Sequence, residues 1–333
     1  MTALTTYARA ALPLVPGASL LPFVAGRGKE MPALERRLDG VRVDPTHLAD
    51  YARVCGFTLR DTLPATYLHM PAFPLHMQLM TDGKFPFPAV GLVHLENRIT
   101  VHRPARVGET FDLVVKTTPI APHPKGKTFA LVSEARVDGE LVWEERSTML
   151  RRGGGSADAR NGGNEGEGAG GGAAAGNADR PGAPQSMDAD RAGGGEDARA
   201  AAEGGRARAR RGTAGEAGGQ DPPADPAGAV TWKLPGDLGR RYGAISGDRN
   251  PIHIHALSAR LFGFKQAIAH GMWTKARCLA ALEPLPDAYT VDVSFKKPIF
   301  LPGRVTFQHD DGRFAVRSAK HPDTIHLEGT VTP

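Results

Sequence analysis

Two side chains able to move protons lie five residues apart in the C-terminal third of the chain. Asp248 and His253 flank Asn250-Pro251 in the run Gly-Asp-Arg-Asn-Pro-Ile-His. Because a proline ring excludes the helical region for the residue before it, the backbone turns at Asn250, and this turn can aim both side chains into one pocket. A carboxylate and a neutral imidazole can hold one water molecule between them and take its proton. Histidine titrates near neutral pH, so the pair can also return a proton to carbon.

A second candidate group follows in the run Ile-Ala-His-Gly-Met that ends at Met272. The spacing of Met272, Ala276 and Leu279 predicts a helix within 267–282. The first turn of a helix offers unpaired N–H groups and a partial positive charge, and a glycine lets a ligand approach the backbone closely. The Gly271 N–H is therefore a candidate for polarising a carbonyl group and stabilising the negative charge that develops on its oxygen.

The remaining polar residues near these groups have less specific interpretations. Asn250 is a substrate-binding candidate, although an Asn-Pro turn more often uses the asparagine side chain to brace the loop. His270 is a second substrate-binding candidate, and it either supports the catalytic pair or packs in the loop. His255 is expected to be exposed, and His69 and His76 are expected to be structural. No Cys or His spacing indicates a zinc site.

The elements that must position these residues form two similar blocks. In each block, one helical stretch precedes a series of alternating strands, which predicts an α+β fold with a curved antiparallel sheet wrapped around a helix. In the first block the helix is expected to be short, confined to 74–80, because Pro71 and Pro74 crowd its start and Gly83 follows soon after its end. The strands are expected at 93–101, 111–117, 128–137, 140–149, 291–295, 305–307, 314–317 and 325–331.

The composition divides the chain into four parts. Residues 1–29 read as an irregular N-terminal arm, and 30–150 as the first folded domain. Residues 151–228 are rich in glycine, alanine and charged residues, and between 153 and 227 the only large apolar side chain is Met187. Such a segment cannot bury enough apolar surface to offset its ordering entropy, so a disordered linker is predicted. Residues 229–333 form the second domain.

The segment from Tyr242 to Ala259 resembles the hydratase-2 signature of the MaoC-like dehydratases. The resemblance continues through Ile-Ala-His-Gly-Met and the later Phe-Lys-Lys-Pro ending at Pro298. Over 45–150 it is only architectural. It implies a double hot-dog fold, in which two hot-dog domains pack as a pseudo-dimer. It also implies reversible hydration of trans-2-enoyl thioesters to (3R)-3-hydroxyacyl thioesters in fatty-acid metabolism, without a metal or redox cofactor.

The resemblance assigns roles to individual residues. Asp248 and His253 match the catalytic pair, and Gly271 matches the oxyanion donor. The first domain lacks the Gly-Asp-x-Asn-Pro-x-His run, so one active site per chain is expected.

The short first helix predicts an apolar channel for the acyl tail, with Phe73 and Met77 among the substrate-binding residues. Five basic residues are candidates for the phosphates of the thioester carrier: Arg240, Arg241, Lys265, Lys296 and Lys297.

Two other functions remain open on the same scaffold: a hot-dog acyl-CoA thioesterase and a non-catalytic acyl-thioester-binding subunit. Hot-dog thioesterases usually place an acidic residue on or facing the central helix, and 271–277 contains none. The expected partner is a coenzyme A or acyl carrier protein thioester, with no nucleic acid and no membrane. The two cysteines, Cys55 and Cys278, suit a reducing cytoplasm. A monomeric pseudo-dimer or a homodimer is expected.

Overall fold

A computed structural model describes residues 30–89, 91–153 and 228–333. The predicted N-terminal arm and nearly all of the predicted linker lie outside these described residues. The two folded parts of the chain form one compact unit rather than separate bodies.

The described residues of the N-terminal half form two helices and six strands. Its helices are α1 (Pro45–Cys55) and α2 (His69–Met80). Its strands are β1 (Glu35–Arg42), β2 (Leu92–Val101), β3 (Thr110–Thr117), β4 (Ala121–His123), β5 (Gly126–Val137) and β6 (Glu140–Arg152). Local chemistry accounts for α1, which the alternating pattern did not reveal. Asp44 caps its first turn by accepting a hydrogen bond from the Thr46 N–H, and Gly56 ends it in the left-handed conformation.

The C-terminal half contains four helices and five strands. Its helices are α3 (Leu238–Ser246), α4 (Pro251–Ile254), α5 (Ala256–Leu261) and α6 (Gly271–Leu282). Its strands are β7 (Val230–Leu234), β8 (Tyr289–Phe295), β9 (Gly303–Asp310), β10 (Arg313–Ser318) and β11 (Ile325–Thr332). Helix α6 is the predicted central helix, and α3 to α5 build the region around Asp248 and His253.

All of these strands join one antiparallel sheet. Its order is β1-β3-β5-β6-β2-β8-β11-β10-β9-β7, with β4 paired to β5. Read outward from the centre, the two halves repeat the same connectivity, and they meet where β2 pairs with β8. Ile99 lies opposite Val291 at this seam, and both side chains are buried. The sheet is therefore continuous across the two halves, as in a double hot dog.

The core lies between this sheet and the two central helices, α2 and α6. Alternation of buried and accessible residues along the strands directs one face toward the helices, as expected for a half-buried sheet. The halves also contact each other through helices, since the Trp273 indole N–H in α6 donates to the Val54 carbonyl in α1 at 2.9 Å. The α+β double hot-dog prediction is confirmed.

The prediction of a short first helix is wrong. Helix α2 begins at His69, has 12 residues, and equals α6 in length. Pro71 lies in its first turn, where a backbone N–H would have no partner within the helix, so the proline is tolerated there. Pro74 removes one hydrogen bond inside the helix, and burial of the side chains around it outweighs this loss.

Two further sequence expectations concern the cysteines and the membrane. Cys55 and Cys278 are both free and buried. Within the described ranges, no helix is long and apolar enough to cross a membrane.

Candidate active site

The loop after α3 presents the Asp248 carboxylate. Helix α3 ends at Ser246, and Gly247 turns the chain with a φ of 74°. Ser246 accepts a hydrogen bond from the Asp248 N–H through its hydroxyl, at 3.2 Å. The carboxylate then accepts one from the Asn250 N–H through Oδ1, at 3.1 Å. These bonds fix the carboxylate in the turn, and its side chain stays about one quarter exposed.

Asn250 acts within the loop rather than toward a ligand. Its side-chain oxygen accepts the Ile252 N–H at 3.3 Å and so caps the short helix α4, which begins at Pro251. Its backbone carbonyl accepts the His253 N–H at 2.9 Å. The bracing interpretation of Asn250 therefore describes what its side chain does in this structure.

The orientation of His253 leaves one ring nitrogen available as a base. His253 is buried, and its Nδ1 lies 2.8 Å from the Ile268 carbonyl oxygen. A carbonyl can only accept, so Nδ1 carries the hydrogen and Nε2 keeps its lone pair. Burial lowers the pKa of His253, while the nearby Asp248 carboxylate raises it, and burial has the larger effect. His253 is therefore neutral at pH 7 and able to accept a proton.

His270 packs directly on His253. The two rings stack with centroids 3.7 Å apart and planes 24° from parallel. The Nε2–H of His270 donates to the Asp248 backbone carbonyl at 3.0 Å, and Nε2 lies 3.7 Å from Asp248 Oδ2. Burial and the neighbouring His253 lower the pKa of His270 to about 3. This ring thus stays neutral and holds the two candidate catalytic residues together.

The N-terminus of α6 lies immediately after this histidine. Gly271 is the first residue of the helix, and no side chain caps that end. A Cβ at Gly271 would lie 3.0 Å from the Phe295 ring, which is tighter than most real contacts. Glycine therefore lets the backbone at 271 lie close to the Phe295 ring. The N–H groups of the first turn have no hydrogen-bond partner within the helix. The predicted oxyanion donor, Gly271, directly follows His270, one of the two stacked histidines.

Two glycines that the sequence interpretation left without a role allow α3 to approach this loop. A Cβ at Gly239 would lie 1.9 Å from the His253 carbonyl oxygen, and one at Gly243 would lie 2.7 Å from that of Asp248. Both contacts are to backbone, which cannot move aside cheaply. Their spacing of four places them on one helix face, and that spacing was the available sequence signal.

The N-terminal half contains a buried polar network of its own. Glu145 is fully buried and accepts hydrogen bonds from His69 Nδ1 at 2.8 Å and from the Asn97 amide at 2.7 Å. The Asn97 side-chain oxygen accepts from the Lys275 ammonium at 2.6 Å, and the Val291 carbonyl accepts from it at 3.2 Å. Lys275 belongs to α6, so this network connects the two halves. Sequence interpretation missed it because its members come from five separate elements.

Two groups of side chains among the described residues could approach a metal ion. Asp248, His253 and His270 bring possible ligand atoms to within 4.8 Å of one another, and His69, His76 and Glu145 do the same. In both groups, ring nitrogens already hydrogen-bond to protein oxygens. His76 Nε2, for example, lies 2.7 Å from the Ser133 hydroxyl. His69 and His76 are thus part of the buried network, in agreement with a structural role.

The other predicted binding residues are dispersed. Phe73 is half-buried and Met77 is buried, both on α2, and neither is part of the Asp248–His253 group. The five basic candidates for carrier phosphates are all exposed, and two of them contact protein: Arg240 donates to the Ile254 carbonyl, and Lys296 lies 3.3 Å from Glu328.

Comparison with known proteins defines the class of protein to which this site belongs. A MaoC-like domain profile matches residues 219–321, a range that contains Asp248, His253, His270 and Gly271. The chain is also 31% identical, over 296 residues, to the protein named 3-hydroxyacyl-thioester dehydratase X from Mycobacterium tuberculosis. That match covers 89% of this chain and 83% of the relative. The chain belongs to the MaoC-like dehydratase family.

Solved structures support the same assignment. A crystal structure of HtdX from Mycobacterium tuberculosis is 27% identical, with a TM-score of 0.64, covering 90% of this chain and 99% of that one. A MaoC-like dehydratase from Phytophthora capsici is 17% identical, with a TM-score of 0.54, covering 91% of this chain and 96% of that one. The second likeness shows a shared fold.

Proposed function

We propose that this protein catalyses the reversible hydration of trans-2-enoyl thioesters to (3R)-3-hydroxyacyl thioesters in fatty-acid metabolism. One observation carries the proposal: the fixed Asp248 carboxylate and the neutral, oriented His253 ring lie next to the N-terminus of α6. Membership of the MaoC-like dehydratase family and the likeness to a relative named as a 3-hydroxyacyl-thioester dehydratase support it.

The geometry assigns activation of the water molecule and polarisation of the thioester carbonyl to different groups. Asp248 and His253 hold a water molecule, and its oxygen forms a bond to C3 while one of its protons passes to the pair. The C2=C3 π electrons move toward the thioester carbonyl, and the negative charge that develops on its oxygen is stabilised by a hydrogen bond from the Gly271 N–H. The proton then moves from the pair to C2, which restores both residues and completes the addition of one water. Dehydration runs through the same steps in reverse.

No oxidation occurs in this sequence, and its proton transfers use side chains of the chain itself. We therefore propose that the reaction requires neither a metal nor a redox cofactor. Dialysis against a chelator should leave the hydration rate unchanged. Loss of activity on dialysis, restored by a divalent cation, would contradict this part of the proposal.

A thioesterase on this scaffold would need an accessible acidic residue at a central helix. Glu145 does face α2, but it is fully buried and already accepts hydrogen bonds from His69 and Asn97. Its side chain is closed off from solvent, whereas that of Asp248 is about one quarter exposed. The described part of the chain thus provides no specific support for hydrolysis or for a purely binding role.

The direct test follows the enoyl absorbance of crotonyl and dodecenoyl thioesters with purified protein. Loss of absorbance without release of a free thiol, and formation of the (3R) product, are expected. Release of thiol at the rate of absorbance loss would instead identify a thioesterase, and binding without turnover would identify a binding subunit.

The carrier and the acyl tail are finer parts of the same proposal. We propose coenzyme A or acyl carrier protein as the carrier of the acyl group. We also propose that the enzyme is a monomeric pseudo-dimer or a homodimer and that it acts in the cytoplasm. The tail channel at Phe73 and Met77 loses its original basis, because α2 is full length. A channel there stays a prediction, tested by a C4 to C16 series in which each buried CH₂ contributes up to about 0.8 kcal/mol.

A further inference from the structure

Two polar atoms beside the candidate catalytic pair are buried without a hydrogen-bond partner. Among the described residues, the buried side-chain N and O atoms in this condition are His94 Nε2, the Tyr242 hydroxyl and His270 Nδ1. The last two belong to rings in contact, with centroids 4.9 Å apart and planes tilted by 54°. Tyr242 is 1% and His270 3% exposed. Proteins rarely leave such atoms unpaired, because each one loses its hydrogen bonds to water on burial.

The two atoms have complementary hydrogen-bonding roles. His270 donates through Nε2 to the Asp248 carbonyl, so its Nδ1 has a lone pair and can only accept. Burial, then the Cys55 thiol and the Asp248 carboxylate, hold the pKa of Tyr242 well above its usual value. The phenol therefore stays protonated and can donate. A single hydroxyl oxygen can accept from the phenol and donate to the imidazole at the same time.

We propose that Tyr242 and His270 bind one hydroxyl oxygen between the phenol oxygen and Nδ1, next to the Asp248–His253 pair. Two sources have this chemistry: a resident water molecule and the 3-hydroxyl group of the acyl chain. The role in turnover rests on the proposed hydratase function. The binding of a resident water does not, because it is argued from the two buried unpaired atoms alone.

The position of the pair explains why such an oxygen would matter for turnover. His270 lies against His253 on its ring face and bonds to the Asp248 backbone. A hydroxyl bound to Nδ1 therefore restrains the His270 ring, and this ring in turn restrains both Asp248 and His253. If the oxygen is the 3-hydroxyl itself, Tyr242 and His270 also contact the substrate.

The experiment removes only the phenol oxygen, with Tyr242→Phe, and measures both melting temperature and hydration. Without a bound hydroxyl, deleting an unpaired buried OH relieves a desolvation cost, so the melting temperature should rise and kcat should not change. With a resident water, the melting temperature should not rise, whereas it should rise if only the substrate fills the site. In both cases kcat/KM should fall about 10- to 100-fold. A rise in melting temperature with unchanged kcat/KM would overturn the proposal.

Tyr51→Phe is the matched control. The ring of Tyr51 lies 6.5 Å from that of Tyr242, but its hydroxyl donates to the Thr66 hydroxyl at 2.7 Å. Removing it deletes a made hydrogen bond outside the site, so the melting temperature should fall while kcat/KM stays at the wild-type value. This control separates a general response of the tyrosine cluster from an effect at the proposed site.

Two further measurements locate the oxygen and identify its source. A high-resolution crystal structure without substrate should show an oxygen within about 2.6–3.2 Å of both atoms if the source is water. If the source is the substrate, Tyr242→Phe should weaken inhibition by a 3-hydroxyacyl thioester about tenfold but leave that by the saturated acyl thioester unchanged. Absence of the oxygen, with both inhibition constants unchanged, would refute the site. The melting-temperature result stands even if the wild-type protein fails to hydrate enoyl thioesters, so the two proposals can fail separately.

Discussion

At the scale of single residues, the site depends on tautomers that backbone carbonyls select. The Ile268 carbonyl holds the hydrogen of His253 on Nδ1, and the Asp248 carbonyl holds that of His270 on Nε2. Each ring is thereby left with one defined lone pair. Both carbonyls lie outside the named helices and strands, Asp248 in a loop and Ile268 at an isolated β-bridge with Phe300, so the geometry of these two segments determines which nitrogen can act as a base.

The catalytic pair can be tested with conservative changes. Asp248→Asn and His253→Gln should each lower the hydration rate by at least about 10²-fold, because a positioned acid or base typically contributes 10²–10⁴-fold. His255→Gln is the matched control, since His255 lies two residues from His253 but is exposed. Crotonyl-CoA absorbance gives the rates, and circular dichroism checks the fold. Near-native turnover in either first variant would show that the assignment is wrong.

At the scale of elements, α6 serves both halves of the molecule. Its N-terminus contributes the candidate oxyanion donor, while Lys275, one turn further, is fully buried and bonds to Asn97 across the seam. Burial lowers the pKa of Lys275 to about 7, and the Glu145 carboxylate opposes that effect. The helix that positions the substrate carbonyl is thus fixed to the N-terminal half by a polar side chain that has no access to water.

Removing one member of this network should be costly. Lys275→Met should lower the free energy of unfolding by about 1–3 kcal/mol for each buried acceptor left unpaired, because the Asn97 side-chain oxygen and the Val291 carbonyl lose their donor. The double variant Lys275→Met/Glu145→Gln should lose less than the sum of the single changes. Lys296→Met is the control, since its ion pair with Glu328 is exposed and should contribute no more than about 1 kcal/mol. Urea unfolding measures all four variants, and additive losses would contradict coupling.

At the scale of the whole molecule, the sheet sets the distance that the connecting segment must cover. Between β6 and β7 lie six antiparallel pairings, so the two strands run in the same direction at about 29 Å separation along the sheet, taking about 4.8 Å for each pairing. The chain must therefore run from the C-terminal end of β6 to the N-terminal end of β7, and because the strands are parallel these two points lie at opposite ends of the strands. This requirement comes from topology rather than from the composition of the segment.

The length of the connection should matter more than its sequence. Replacing 155–225 by about 30 Gly/Ser residues should leave hydration and melting temperature unchanged, because a flexible chain of that length can span the gap. Deletion without replacement leaves six residues between Arg152 and Val230, and at about 3.3–3.6 Å per residue these reach too short a distance. That variant should lose stability or exchange halves with a second copy. Equal activity and size for both variants would contradict the topological requirement.

The buried histidines should make the whole fold sensitive to acid. Burial lowers the pKa of His76 and His270 to about 3, and that of His94 to about 4. The unfolded chain binds these protons below about pH 6.5 and the folded chain does not. The contribution of these histidines to stability should therefore be constant above that pH and fall as the pH decreases toward 4, by at most about 1.4 kcal/mol per pH unit for each histidine.

Urea unfolding between pH 7.5 and 4.5 measures this slope. His76→Gln should make it shallower, because one neutral buried ring no longer titrates in the unfolded chain. His321→Gln, at an exposed position, should leave the slope unchanged. An equal slope in all three proteins would show that other groups control the acid response.

The sequence by itself determined the parts of this protein that depend on neighbours along the chain. The Asn-Pro turn between Asp248 and His253, the helix that starts at Gly271 and the alternating strands all follow from local backbone preferences and periodicity. The tertiary structure decided the contacts between distant segments. These are the stacking of His270 on His253, the Tyr242 hydroxyl beside it, and the link from Lys275 to Glu145 through Asn97. It also decided the length of α2, because burial in the core kept Pro71 and Pro74 inside a helix that local rules would have shortened.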